Sequence, residues 1–210
     1  MARRLQKAMV VEETTETMSI QPPWKDLVAE PLSRDHVVQL YRDDRFLIES
    51  VALFAGVGIG KSEAIILITT PSHLEAIERR LKGLGFDVDG LKLWGQLNVM
   101  DASKLLSGLM LNGLPDANLF KTIVTQLIEQ ARADGRYRKV RVYGEMVELL
   151  WRDNRAATAR LEQLWNDTIA EHSISLLCGY SLGAEGDAHE HFPEELRDLH
   201  SHLVPVEACG

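Results

Sequence analysis

The stretch VRVYGEMVELLWRDNRAATARLEQLWNDTIAEHSISLLCGY, residues 140–180, decides the fold. It reads as strand, turn, short helix, longer helix, strand. Val140 and Val142 belong to an apolar strand that runs into Gly144-Glu145. Met146, Val147, Leu149, Leu150 and Trp151 share the apolar side of a short helix. Asn154 stands where a side-chain oxygen can cap the next helix, in which Leu161, Leu164, Trp165 and Ile169 recur at helical spacing. Residues 174–180, ISLLCGY, are the continuous apolar run of a buried strand.

The chain before this stretch repeats the alternation. HVVQLY (36–41) is a short strand, and a helix follows from Asp43-Asp44 to Ala55. Its apolar side is wide, with Phe46, Leu47, Ile48, Val51, Leu53 and Phe54, so it is well covered. The glycines of GVGIG are expected to end it. AIILITT (64–70) is a β-branched run of the kind found in central parallel strands. Thr70 and Pro71 suit the cap and first turn of a helix that stops at Gly83 to Gly85. LNVM (97–100) is a strand ending at Asp101, and a short helix runs from about 103 to 110. Residues 113–116 form a turn and cap, and 117–133 give an amphipathic helix. Strands alternating with helices imply an α/β fold with three layers: a mostly parallel central sheet with helices on both faces.

Composition sets limits on function. With 210 residues, 45 % hydrophobic and 26 % charged, the chain fits one globular domain. Its formal net charge of -8 argues against direct nucleic-acid binding, which needs clustered Lys and Arg. No apolar run approaches the length of a membrane span. Cys178 and Cys209 form no CxxC, so free thiols in a reducing cytosol, and a cytoplasmic location, are the expectation. Residues 1–30 read as a flexible leader: VEETTET is polar and Pro22-Pro23 enforces extended chain, with Trp24 able to dock. Residues 31–183 read as the α/β domain. Residues 184–210 read as a polar, His-rich segment with a helix over 193–203.

Gly60-Lys61-Ser62 suggests a phosphate-binding loop, but the context is wrong. Such a loop needs G-x-x-x-x-G-K-[ST] between a strand and a helix, so that backbone N–H groups cradle phosphates. Here Ala55 replaces the first glycine, and the segment leads from a helix into a strand. The reading is a helix-to-strand turn with Lys61 in solvent. No G-x-G-x-x-G follows a strand either, so no nucleotide cofactor is implied.

Parallel sheets bind ligands beyond the carboxyl ends of their strands. Those ends hold Tyr41, Thr69, Thr70, Asp101, Tyr143, Gly144, Glu145 and Tyr180, with His73 one turn into the following helix. Aromatic walls with a few polar groups suit a small molecule. Glu145 is the most interesting member, although a carboxylate at a helix start also serves the helix dipole alone. Tyr143 and Tyr180 have a plain alternative as packing residues. His36, before the first strand, lacks a matching nucleophile, and Cys178 reads as an inert core thiol. His189, His191, His200 and His202 offer a metal-binding alternative, weakened because H-x-H on a helix points its side chains apart.

HVVQLY, the Gly60-x-x-Glu63-Ala64 turn into AIILITT with its His73, and VYGEMVELLW…LEQLWN…SLLCGY together resemble the MEDS family, a sensory domain of methanogens and methylotrophs typified by DcmR. The resemblance runs from about residue 33 to 180 and more weakly through His200-Ser201-His202. It implies a RecA/KaiC-like fold without the nucleotide motifs, strand 140–143 standing in the place of the Walker B strand. The residues matching its motifs are His36, Tyr41, His73, Tyr143, Gly144, Glu145, Trp151, Glu162, Trp165, Cys178 and Tyr180. It also implies sensing of a small ligand, proposed to be a hydrocarbon derivative. The signal would go to a regulatory protein such as a kinase or transcription factor. No helix-turn-helix or kinase module is evident here.

The expectation is therefore a non-catalytic sensory domain that binds a ligand at the strand rim and signals through a surface change or a homodimer. The alternatives are a degenerate phosphate-loop ATPase and a pure protein-interaction module.

Overall fold

The computed structural model describes residues 24–133 and 135–206. Pro22-Pro23 and Cys209 lie outside the described residues. Six strands form one all-parallel sheet: β1 (His36–Tyr41), β2 (Ala64–Thr69), β3 (Leu97–Asp101), β6 (Val140–Gly144), β7 (Ser175–Ser181) and β8 (His202–Val204). Their order across the sheet is β3-β2-β6-β7-β1-β8. Between β3 and β6, β4 (Met110–Leu111) and β5 (Leu114–Pro115) make a small hairpin of their own. The central strands β1, β2 and β6 are buried along their whole length. That accounts for their continuous apolar runs, since helices cover both faces.

The helices divide between the faces. On one, α1 (Trp24–Ala29), α2 (Asp44–Gly60), α3 (Pro71–Gly83) and α4 (Val88–Leu93) pack over Val37, Ile65, Leu67, Tyr143 and Leu177. On the other, α5 (Ala102–Leu109), α6 (Ala117–Arg132) and α7 (Arg155–His172) pack over Val38, Ile66, Val142, Leu176, Cys178 and Tyr180. Trp151 and Trp165 are both fully buried in this second layer. Alternation along each strand sorts the residues, because successive side chains point to opposite faces.

Asn154 caps α7 by accepting from Ala157 N at 3.0 Å, as its position suggests. Asp116 caps α6 in the same way. Several expectations need correction. The helix α2 does not stop at Ala55 but continues through the glycines to Gly60. Gly58 is there for clearance: a Cβ would lie 2.7 Å from Ile65 Cδ1 and 2.9 Å from Arg141 Cδ. Beneath it Arg141, buried, pairs with Glu63 and donates to Ala29 O and Phe54 O. Residues 146–153 make successive tight turns rather than a helix, with Leu150 N and Trp151 N both donating to Val147 O. The α4 turn was not foreseen.

At the two ends more of the chain joins the domain than expected. Residues 24–29, expected in a flexible leader, form α1, because Trp24 sets its ring edge-on to Phe46 and Val28 is buried. The helix expected over 193–203 is only α8 (Glu194–Arg197). The chain then turns into β8, whose residues pair in parallel with Val37 to Gln39 of β1. Edge pairing wins over helix here because β1 would otherwise present unpaired backbone groups. Among the described residues, no helix is long and apolar enough to cross a membrane.

Candidate functional site

At the carboxyl rim, Glu145 directly follows β6 and points across to β2. Its carboxylate accepts from Thr69 Oγ1 at 2.6 Å and Thr70 N at 2.8 Å, and from His73 Nδ1. Thr70 therefore gives its backbone N–H to Glu145 and makes no side-chain cap for α3. His73 reaches Glu145 because Pro71 starts α3 one turn earlier. Its other nitrogen, Nε2, lies 3.5 Å from Asp44 at the start of α2. Tyr41 sets its ring edge toward His73 at 6.5 Å.

Glu145 is 2 % exposed, whereas His73 is partly open. Burial alone would raise the Glu145 carboxyl, but the hydrogen bonds from His73, Thr69 and Thr70 outweigh it and lower it. The bond to Glu145, against partial burial, raises His73, and the charges of Glu145 and Asp44 add to this. The rim thus pairs a histidine of raised basicity with a buried carboxylate of lowered basicity. Burial and the carboxylates of Glu148 and Glu145 push the Tyr41 phenol up, so it stays neutral. His73 opens into a groove of about 530 Å³ between α2 and α3, lined also by Ile48, Ser72, Ala76, Arg79 and Arg80. A larger groove of about 720 Å³ runs beside α1, between Trp24, Phe46, Leu53 and Val206; neither His73 nor Glu145 lines it.

Not all rim candidates meet here. Thr69, Thr70, His73, Glu145 and Tyr41 converge. Gly144 and Asp101 end their strands, and Asp101 caps α5 through Lys104 N. Tyr143 lies fully buried beneath, its hydroxyl without a hydrogen-bond partner among the described residues, next to Gly179. Tyr180 is on the opposite face, and His36 opens β1 at the amino end of the sheet, so neither belongs to the rim.

These two join a second cluster in the interior, together with Glu162 of α7, Cys178 of β7 and His200 just before β8. His36 Nε2 lies 3.3 Å from Glu162 Oε2 and 3.4 Å from Cys178 Sγ. His200 Nε2 lies 3.2 Å from Glu162 Oε1, and Tyr180 donates its hydroxyl to the same oxygen at 2.5 Å. Burial raises the Glu162 carboxyl, but the imidazoles of His200 and His36 outweigh it and hold it well below the usual range. Burial and the Glu162 charge push the Cys178 thiol up. The four C-terminal histidines do not gather at one point. His189 packs on Trp151, His191 is exposed, His202 faces Asp35, and only His200 turns inward.

The family model described as "MEthanogen/methylotroph, DcmR Sensory domain" matches residues 35–202, most of the chain. This chain belongs to the MEDS family. The match reaches His202 and so includes the first residue of β8. MEDS is a family of sensory domains, which supports a sensory or signalling role. No curated protein matches the chain. Among solved structures, a KaiC-like protein from the hyperthermophilic archaeon Pyrococcus horikoshii is similar in fold. It shares 9 % identity with a TM-score of 0.56, over 81 % of this chain and 70 % of that one. At that identity the likeness shows the fold alone.

Within this MEDS domain, Gly60-Lys61-Ser62 sits at the end of α2 and before the start of β2, away from the rim. Lys61 pairs with Glu30 of the segment after α1. At the rim, only Arg42 and Asp43 separate β1 from α2. Asp43 caps that helix by accepting from Arg45 N at 2.8 Å. A carboxylate thus occupies the helix start where a phosphate would have to bind.

Sequence reasoning had Glu162 only as a motif match and missed Asn166. The available signal was a glutamate inside the apolar repeat of LEQLW, between Leu161 and Leu164. A carboxylate on a buried helix face needs partners, and that points to buried histidines.

Proposed function

We propose that this sensory domain is non-catalytic and binds a small organic molecule in the groove between α2 and α3. His73 would meet the ligand, and Glu145, Thr69 and Thr70 would hold His73 in place. The observation that carries this reading is the buried Glu145 carboxylate, saturated by Thr69, Thr70 and His73, with His73 alone reaching the groove. With Nδ1 on Glu145, His73 would turn Nε2, which now faces Asp44 at 3.5 Å, to an acceptor on the ligand such as a carbonyl, carboxylate or halogen. Ile48 and Ala76 offer apolar contact to the body of the ligand, as a hydrocarbon derivative requires. A ligand there touches both α2 and α3, so a change in their spacing would carry the signal to a regulatory protein. The negatively capped start of α2 and the distant Lys61 favour this over nucleotide binding.

A thermal-shift screen tests the reading with small halogenated, hydroxylated and acidic organic molecules alongside Mg-ATP. A true ligand at 100 times its Kd adds about 2.7 kcal/mol of stability. The expected result is a shift with a small organic molecule that is lost in His73→Ala and retained in Lys61→Ala. A shift with ATP that disappears in Lys61→Ala would sink the proposal.

A further inference from the structure

The interior cluster differs in kind from the rim, and its hydrogen bonds show how. His36 donates from Nδ1 to Asn166 Oδ1 at 2.8 Å. Asn166 is fixed in that orientation because its Nδ2 donates to Leu199 O at 2.9 Å. His200 Nδ1 faces Leu196 O at 2.8 Å, and a carbonyl can only accept. Both rings therefore carry a proton on Nδ1, and both turn Nε2 toward Glu162 and Cys178. The His200 Nε2 makes no well-directed hydrogen bond, although its side chain is 1 % exposed. Two imidazole Nε2 atoms, a carboxylate and a thiol face one point in the core.

We propose that His36, Glu162, Cys178 and His200 bind one divalent transition-metal ion of the zinc type. One ligand atom from each lies within 4.8 Å of the others. A tetrahedron with bonds of about 2.0–2.3 Å has edges of roughly 3.3–3.8 Å. Three of the six separations fit those edges: 3.3 Å and 3.4 Å from His36 Nε2 to Glu162 Oε2 and Cys178 Sγ, and 3.8 Å from Cys178 Sγ to Glu162 Oε2; His200 Nε2 stands 3.2 Å from the other oxygen, Oε1, and would draw in when the ion binds. Mixed imidazole, thiolate and carboxylate donors suit zinc. The charge balances too: two neutral imidazoles, one carboxylate and one thiolate neutralise a dication, which a site of low dielectric requires. When the ion binds, the Cys178 S–H proton leaves to solvent and the sulfur keeps the electron pair that bonds the metal.

The surroundings have the form that orients metal ligands. Each histidine gives its other N–H to an oxygen acceptor, and Tyr180 donates to the ligand carboxylate. The ligands come from β1, α7, β7 and the segment before β8. An ion here would tie that last segment to the body of the domain, independently of any ligand at the rim.

The test is metal analysis of the full chain produced without a His-tag, followed by refolding of stripped protein with cobalt(II). The expected result is roughly one zinc per chain and, with cobalt, a thiolate-to-metal charge-transfer band with the intense visible bands of a four-coordinate ion. Cys178→Ser should remove the charge-transfer band. Asn166→Ala, which loses only the acceptor that orients His36, should weaken binding about 10- to 100-fold. His191→Ala should change nothing. Folded wild-type protein that shows no thiolate–cobalt band overturns the proposal, and a proton shared among the two histidines and Glu162 then fills the centre. Cobalt binding that survives Cys178→Ser but is lost on replacing His189, His191 and His202 also overturns it. Should the core variants fail to fold, the wild-type cobalt spectrum still decides.

Discussion

The rim and the interior cluster each join a carboxylate to histidine, yet they are satisfied in opposite ways. Glu145 meets donors only: a hydroxyl, a backbone N–H and the His73 Nδ1–H converge on it. Glu162 meets one firm donor, the Tyr180 hydroxyl, and two ring nitrogens whose Nδ1 protons are already committed elsewhere. A carboxylate saturated with donors is finished and serves as an anchor for the group that reaches outward. A carboxylate facing two ring nitrogens and a thiol needs a positive charge at the centre, a shared proton or a metal ion. The difference also follows from position. The rim cluster lies at strand ends, where a helix start brings backbone N–H groups. The interior cluster lies along the strands, where backbone donors are already committed, that of His36 to Ser201 Oγ.

The comparison breaks first if the two carboxylates prove equally dispensable. Glu162→Ala leaves the Tyr180 hydroxyl without its acceptor and His36 and His200 without the carboxylate they face, all in a fully buried site. It is expected to cost about 3–5 kcal/mol. Urea unfolding of wild type and variant, both with the same metal content, reads this directly. Glu145→Ala should cost less, about 1.5–3 kcal/mol. His73 and Thr70 reach solvent there, so water can replace part of what is lost. A loss at Glu162 no larger than at Glu145 would mean the interior cluster is not the desolvated, interdependent unit described above.

The sequence made the sheet legible and left the ends and the clusters obscure, for physical reasons. AIILITT and ISLLCGY can only be buried strands, and Asn154 and Asp116 announce their helices by chemistry confined to one turn. The GVGIG glycines misled because glycine commonly ends a helix. Gly58 stays in α2 because Arg141, far along the chain, needs its space. The failed helix at 193–203 shows the same limit: β8 forms because β1 has a free edge, which no local pattern reveals. Pairing Glu145 with His73 was within reach, since Glu145 follows β6 directly and His73 stands in the first turn of the helix after the neighbouring β2. Tyr180 was placed at the rim because strand order was read without side-chain parity. Its even position turns it to the other face.

The smallest effect is also the sharpest test of the rim as a closed ion pair. His73 has its basicity raised by Glu145 and Asp44, so the folded value exceeds the unfolded one of about 6.5. Its contribution to stability is then complete below about pH 6.5 and fades as pH rises through the folded value. Glu145 is lowered, so its contribution is present above about pH 4.3 and is lost as pH falls through its folded value. The groups facing His73 are Asp44 on α2, Glu145 after β6 and the neutral Tyr41 on β1. None of these turns cationic to cancel the trend. The stability difference between wild type and His73→Gln should therefore be widest in mildly acidic buffer and shrink on the alkaline side. Urea midpoints measured across that range check it. A difference that stays flat, or grows as pH rises, would mean that His73 sits neutral in the folded protein and offers the groove an acceptor instead of a donor. The proposed ligand would then have to supply the proton, which changes its chemical class from carbonyl or halide to alcohol or acid.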